Sequence, residues 1–420
     1  MAPNVAIMVD IPGPKIRAGS FGSVPISLDL GHEVELAEGK GHSSDASRIY
    51  VEREDVVAKL AVGDVIHVGD GGVSLEVVQA GSVARVKVVA AGDVVGKPGL
   101  ALPSSLIHDR LPTPEDRERI EALRNESFEI LAVSFVRSRS DLAAVRGALS
   151  RDDVMVMAKI ETSEGVDALA EIVEEADAIM VARGDLGVRM PIEDVPHLQK
   201  RIVKEGIRFA RPVVVATQML ESMTHAQVPT RAEVTDVANA VLDGASAVML
   251  SAETAIGSDP VAVVSTMDRI VRRTEESFDY TKWGSSLGVQ EVAGTRSEAV
   301  RVTAAMTAAA WRAATEENVA AIIACTRSGM TARAISRFRP AMPILAITPS
   351  EHTGRALRSS WGVNDVLISS ETSIETLTEL GINRAKALGL AKPGDFVVVM
   401  AGSQGAGASV TDTVRMVVVK

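Results

Sequence analysis

The chain has one cysteine, Cys325, in 420 residues. That excludes an internal disulfide framework and fits a reducing compartment. No apolar run is long enough to span a membrane, and no basic segment followed by an apolar stretch opens the sequence, so neither a span nor a secretory leader is expected. Positive charge is in deficit, with 44 Lys and Arg against 55 Asp and Glu and a formal net charge of −11. Such a chain has no general affinity for nucleic acid or acidic membrane. Any phosphate it binds must be held locally, by a metal or a few placed cations. Short-period repeats and low-complexity tracts are missing as well. What remains is an ordinary globular composition, 46% hydrophobic and 24% charged. A chain this long exceeds one compact core, so two or three domains are expected. A cytoplasmic location follows as the plain expectation.

The pattern along the chain changes twice. A short apolar strand at 5–11 ends in Asp10 and Ile11 and leads into Pro12-Gly13-Pro14-Lys15-Ile16-Arg17. The next eighty or so residues carry short alternating runs at 34–36, 65–68, 73–78 and 84–89 between Gly-Asp turn signals, the texture of a small all-β module. From Thr113, a helix cap followed by acids, strand and helix alternate strictly. Strands are expected at 130–135, 154–160, 178–182, 212–217 and 245–251, with helices at 165–176, 196–210 and 231–243 between them. Repeated βα units imply parallel strands. Residues 279–296 read as a linker. A second α/β set follows, with a helix at 297–315 and strands at 320–325, 344–347, 365–368 and 396–400.

The sharpest chemistry lies at the strand ends. The run Val154-Met155-Val156-Met157-Ala158 stops at Lys159-Ile160-Glu161, and strand alternation puts Lys159 and Glu161 on one face. The next strand runs into Arg183-Gly184-Asp185-Leu186-Gly187. A buried strand gains nothing by ending in charges unless they face something charged. Two successive strand ends with Lys, Glu, Arg and Asp describe a metal and phosphate site at a barrel mouth. The plainer alternative is an ion-pair network, with Lys159 snorkelling to Glu161 or Glu164 and the carboxylates paired with Lys159 and Arg183.

These segments, with Val213–Met223, Pro229–Glu233, Asp236–Val241 and Leu250–Thr254, resemble the active-site signature of the pyruvate kinases. The resemblance implies an α/β fold: a (β/α) TIM-type barrel over 1–16 and 100–280, an inserted β-barrel lid domain over 17–99, and a C-terminal α/β domain over 297–420. It implies a phosphotransferase that makes pyruvate and ATP from phosphoenolpyruvate and ADP in glycolysis. Lys159 would stabilise the phosphoryl group and the enolate, Glu161 and Asp185 would hold Mg2+ or Mn2+, and Gly184, Asp185 and Thr217 would bind substrate. Thr217 would also help deliver a proton, with Ser251 and Glu253 in the relay. Arg17 would contact nucleotide phosphate; the family's nucleotide lysine is usual where Pro98 stands, and Lys97 would substitute from one position away. Lys15, where many members bind potassium through Thr and Glu, marks the potassium-independent subgroup. Thr326, Arg327, Ser328, Gly329 and Thr331 resemble the family's effector-phosphate loop, although the companion loop 401–410 has no Lys or Arg.

Family analogy adds a homotetramer with neither nucleic-acid nor membrane partners. Two βα units that the family carries ahead of 5–17 have no counterpart here, so six barrel strands are expected in place of eight. The alternative functions are a catalytically weak regulatory homologue, or a metal-dependent enolate enzyme acting on pyruvate or oxaloacetate.

Overall fold

The structure is a computed structural model that describes residues 5–69, 71–103, 106, 109–287, 298–402 and 410–420. Strand β1 (Met8–Ile11) opens the fold and leads at once into the β module. That module comprises β2 (Ile26–Leu28), β3 (Glu33–Glu38), β4 (Arg48–Val51), β5 (Val65–Val68), β6 (Val73–Gln79), β7 (Val83–Ala90), β8 (Gly92–Val94) and β9 (Leu100–Ala101). Its six-stranded sheet runs in the order β4-β3-β7-β6-β5-β9, with β2 and β8 paired beside it. Alternation decides its packing: Ala84, Val86 and Val88 of β7 point into its own apolar core while Val83, Arg85 and Lys87 face outward.

The chain then returns to β1. Strands β10 (Ile130–Val133), β11 (Met155–Ile160), β12 (Ala178–Ala182), β13 (Val213–Ala216) and β14 (Ala247–Met249) join it in one sheet, β1-β10-β11-β12-β13-β14, every pair parallel. This curled half-barrel has β1 and β14 as its two edges among the described residues. Alternate residues of β11 serve opposite faces. Val156, Ala158 and Ile160 pack outward under the helices, whereas Met155 and Met157 join Ala132, Met180 and Ala216 on the inner face. Burial on both faces is why these strands read as continuous apolar runs.

The helices between them are set by local capping. Thr113 and Asp116 close a capping box on α1 (Pro114–Ala122), as do Ser138 and Asp141 on α2 (Arg139–Leu149). The helix expected at 165–176 is two pieces, α3 (Ser163–Asp167) and α4 (Leu169–Glu175), hinged at Ala168. Gly165 lets α3 press against the loop after β10, since a Cβ there would lie 2.6 Å from the Val136 carbonyl oxygen. Next come α5 (Arg183–Arg189), α6 (Val195–Arg208), α7 (Arg231–Asp243), α8 (Ala252–Ala255) and α9 (Pro260–Glu275).

The first half of the expected linker is in fact helical, α10 (Tyr280–Leu287); the rest, 288–297, lies outside the described residues. Its Gly284 is a close-packing residue: a Cβ would meet the Trp311 ring at 2.2 Å. A small residue that reads as flexible in sequence serves helix approach instead.

The C-terminal unit has α11 (Glu298–Glu316), β15 (Ala321–Cys325), α12 (Met330–Ser336), β16 (Ile344–Thr348), α13 (Glu351–Ala356), β17 (Val363–Ile368), α14 (Ile374–Ala387), β18 (Phe396–Ala401) and β19 (Thr413–Val418). Its sheet runs β17-β16-β15-β18-β19. Strand β19 was not anticipated; it is an antiparallel edge strand whose half-exposed sequence TVRMVV carries little periodicity. This unit docks on the N-terminal ends of the barrel strands, where buried Glu129 accepts from Arg355 at 2.7 Å and from the Ile7 amide at 2.7 Å. No helix of the described residues is long and apolar enough to cross a membrane.

Candidate active site

The three polar groups that hold Lys159 come from the C-terminal ends of the parallel strands, the face where such sheets carry their chemistry. The Lys159 ammonium donates to Asp10 at 2.8 Å and to the Ser134 hydroxyl at 2.9 Å. It lies 3.1 Å from Glu161 Oε1. Ser134 in turn donates to Asp10 at 3.1 Å. Burial alone would lower the pKa of Lys159, but the Glu161 and Asp10 carboxylates outweigh it and hold the ammonium firmly charged.

Glu161 is fully buried, and its Oε2 accepts from the Phe135 amide at 2.9 Å. Its Oε1 has the Lys159 ammonium as its ion-pair partner and no well-aligned hydrogen bond besides. Burial pushes this carboxyl above the usual range; Lys159 opposes the shift, and the charge of Asp185 adds to it. A buried carboxylate oxygen met only by an ammonium, beside a second carboxylate, suits a divalent ion. Among the described residues no group of three or more His, Cys, Asp or Glu could hold a metal. A divalent ion here would therefore rest on Glu161 and Asp185, with substrate and water completing its shell, as magnesium prefers.

Asp185 sits in the first turn of α5, and the Lys15 ammonium approaches it to 3.8 Å. Lys15 reaches it across the returning lid strand, because Gly99 has no Cβ to block the path; one there would lie 3.0 Å from Lys15 Cε. Arg183 is not the partner of Asp185. It forks onto Asp236 at 2.6 and 2.7 Å and donates to the carbonyls of Ala216 and Thr217.

That clasp holds the end of β13 in an uncommon conformation, with φ of 70° at Thr217 and 54° at Gln218. Phe135, at the end of β10, has φ of 59°. Left-handed backbone at a β-branched residue persists only where the surroundings force it, and it gathers at functional sites. The Thr217 hydroxyl donates to the Ala216 carbonyl at 2.6 Å and accepts from the Gly184 amide at 2.9 Å.

Ser251 and Glu253 divide in character. Glu253 is fully buried and accepts from the Leu220 amide at 3.1 Å and the Ser251 amide at 2.7 Å, so it braces the loops after β13 and β14. The Ser251 hydroxyl is buried with no hydrogen-bond partner.

The lid contributes Arg17 and Lys97 together: Arg17 donates to the Lys97 carbonyl at 3.1 Å, and the Lys97 ammonium is paired with Glu52 at 2.7 Å. In the C-terminal unit, Thr331 shares a buried 2.8 Å hydrogen bond with Thr411. Arg333 donates to the Ser328 carbonyl at 2.9 Å, the Thr326 amide donates to Ile347 at 2.9 Å, and Gly329 takes φ of 84°. The side chain of Arg327 is exposed. Most of the companion loop, 403–409, lies outside the described residues.

Sequence reasoning named Lys159, Glu161 and Asp185, whose charges the structure sets beside one another, but it did not pair them with their supports. Asp10, Ser134 and the Phe135 amide lie far from Lys159 in sequence. The available signal was that each closes a parallel strand. Arg189 was also missed; it stacks 5.1 Å over Phe135, and its buried Nε has no partner.

Residues 1–264 match the family description "Pyruvate kinase, barrel domain", and residues 304–417 match "Pyruvate kinase, alpha/beta domain". The chain is 38% identical to the pyruvate kinase of Agrobacterium vitis, over 98% of this chain and 86% of that one. It is 37% identical to that of Methylorubrum extorquens, covering 95% and 82%. It is 35% identical to that of Clostridium acetobutylicum, covering 95% and 84%. Two family matches in register with the half-barrel and the C-terminal sheet, and relatives alike over nearly the whole chain, place this protein in the pyruvate kinase family of phosphotransferase enzymes.

Proposed function

We propose that the chain moves a phosphoryl group from phosphoenolpyruvate to ADP, yielding pyruvate and ATP, as a glycolytic enzyme of the cytoplasm. The observation that carries this reading is the Lys159 ammonium, fixed by Asp10 and Ser134 within 3.1 Å of the buried Glu161 carboxylate. In this reaction the bond between phosphorus and the enol oxygen breaks, and a terminal phosphate oxygen of ADP takes the phosphorus. The enolate left behind then gains a proton on its methylene carbon. Charge moves from one oxygen to another, so a fixed cation beside both is the main requirement. Lys159 is that cation. Its three partners orient it before substrate arrives.

When bound, Mg2+ or Mn2+ on Glu161 and Asp185 supplies further positive charge to the carboxylate and phosphoryl oxygens. Thr217 faces the substrate methylene in this reading, and the unpartnered Ser251 hydroxyl offers an exchangeable proton nearby, with Glu253 positioning both loops. Gly184 and Asp185 bind the substrate carboxylate. Arg17 and Lys97 take the nucleotide phosphates as the lid closes and excludes water. Lys97 leaves Glu52 at little cost, since exposed ion pairs contribute about 0–1 kcal/mol. The Lys15 ammonium beside Asp185 stands where a potassium ion would otherwise be needed. Assembly as a homotetramer is part of the proposal.

The test is pyruvate formation from phosphoenolpyruvate and ADP with magnesium, with and without potassium, against Lys159→Ala. Turnover that ignores potassium and vanishes in the variant supports the reading. A folded, magnesium-binding protein with no turnover would sink it in favour of a regulatory homologue.

A further inference from the structure

Far from the mouth, four arginines converge between the base of the half-barrel and the C-terminal unit. Arg211 precedes β13, Arg333 lies on α12, and Arg337 and Arg339 follow it. All four line one cavity, together with Ser336 and Ser360. The space has about 10 Å³ of room for the centre of a water-sized body, which admits a single small occupant.

Their hydrogen bonds go to backbone carbonyls and a sulfur. Arg211 donates to Val173 and Glu174, Arg333 to Ser328 and Met155 Sδ, Arg337 to Arg208, and Arg339 to Gly244 and Ala245. Arg337 and Arg339 also stack over Phe338 and Trp361, at 4.8 and 4.6 Å. The carboxylates whose charge reaches the cluster are committed elsewhere, Glu174 and Glu175 to Arg139 and Arg146. Asp177 pairs with Arg146 at 2.7 Å, and Glu275 accepts from the Trp361 indole at 2.7 Å.

Two donors remain. Arg337 Nε and Ser360 Oγ are buried, line this cavity, and have no hydrogen-bond partner. Burial weighs against the charged form of every one of the four guanidiniums. A guanidinium does not relieve that by losing its proton. A water could accept the two free hydrogen bonds but brings no charge to Arg337, which no carboxylate reaches, whereas an anion meets both needs.

We propose that this cavity binds one small inorganic anion of halide size, accepted by the Arg337 Nε–H and the Ser360 hydroxyl, and that the ion fastens the C-terminal unit to the base of the half-barrel. The cavity lies at the N-terminal ends of the strands, opposite the mouth, so the site is separate from substrate chemistry. It does not depend on the kinase reading.

The test uses the full chain. Crystals soaked in bromide should show an anomalous peak within about 3.5 Å of Arg337 Nε. Replacing gluconate with chloride at constant ionic strength should raise the melting temperature by about 3 °C, as expected for a ligand near ten times its Kd. Ser360→Ala, which removes a hydroxyl that bonds to nothing else, should move the chloride midpoint upward about tenfold while the protein stays folded. Arg337→Met should abolish the chloride response. A cavity filled by water in bromide, or a melting temperature that does not distinguish chloride from gluconate, overturns the proposal.

Discussion

The two ends of the parallel sheet handle charge in opposite ways. At the mouth, one lysine faces Asp10, Ser134 and Glu161, a carboxylate oxygen and a serine hydroxyl go without well-aligned hydrogen bonds, and the backbone of Thr217 and Gln218 is held left-handed. At the base, guanidiniums lie against backbone carbonyls and aromatic faces and clasp two domains. Carbonyl dipoles satisfy donors without changing state, so the base can be static. Buried oxygens without well-aligned hydrogen bonds leave capacity for a further partner, which suits a ligand at the mouth. Unmet hydrogen bonds mean function at one end and, with the bound anion proposed above, adhesion at the other.

The contrast can be broken in measurable ways. The largest effect should come from Lys159→Met, with kcat falling about 10²- to 10³-fold, the loss seen on removing one charge-stabilising donor. The fold should persist, as circular dichroism would register. A variant that unfolds instead would make the mouth a structural ion-pair network. Next, Glu129→Ala strips Arg355 and the Ile7 amide of their buried acceptor at the base. Removing one partner of a buried pair costs about 3 kcal/mol, read as a lower denaturation midpoint of the C-terminal unit with activity at saturating substrate nearly intact. Glu253→Ala should sit between the two classes. It leaves the Leu220 and Ser251 amides unpaired, costing about 2 kcal/mol of stability and lowering kcat through the Thr217 loop; an effect on stability alone would remove Glu253 from the site.

Smaller effects sharpen the picture. His67 lines a cavity of about 160 Å³ with Thr162, Ser163 and Arg189 at the seam of lid and barrel. Burial, helped by Arg189, depresses its pKa below the ordinary 6.5. A base depressed in the folded state contributes stability above its unfolded pKa and loses it as pH falls through the folded one. The melting temperature should therefore decline as pH drops below about 6.5, and His67→Gln should flatten that decline. The smallest response belongs to Cys325, buried on β15, whose thiol burial pushes up to about 12. It should resist thiol reagents in the native protein, and reductant should not change activity.

Much of this was legible in sequence because the interactions concerned are local. Runs buried on both faces became strands β10 to β13 near the expected limits, and α7 began at Arg231 because Thr230 and Glu233 cap each other. Alternation put Lys159 and Glu161 on one face without any knowledge of their neighbours. Where reading failed, the cause was a distant partner. Gly284 looked like linker until Trp311 lay against it, and the helix after Glu161 broke at Ala168, where composition gives no sign of a hinge.

The residue order alone placed a cation, two carboxylates and a threonine at the ends of apolar strands, since strand periodicity and burial are functions of nearby residues. Only the tertiary structure decided who serves whom. Asp10 reaches Lys159 across 149 positions, Arg183 turns from Asp185 to Asp236, and four arginines from separate segments share one cavity. Hydrogen bonds and screened charges act over a few ångströms, and which atoms come that close depends on the register of the whole sheet.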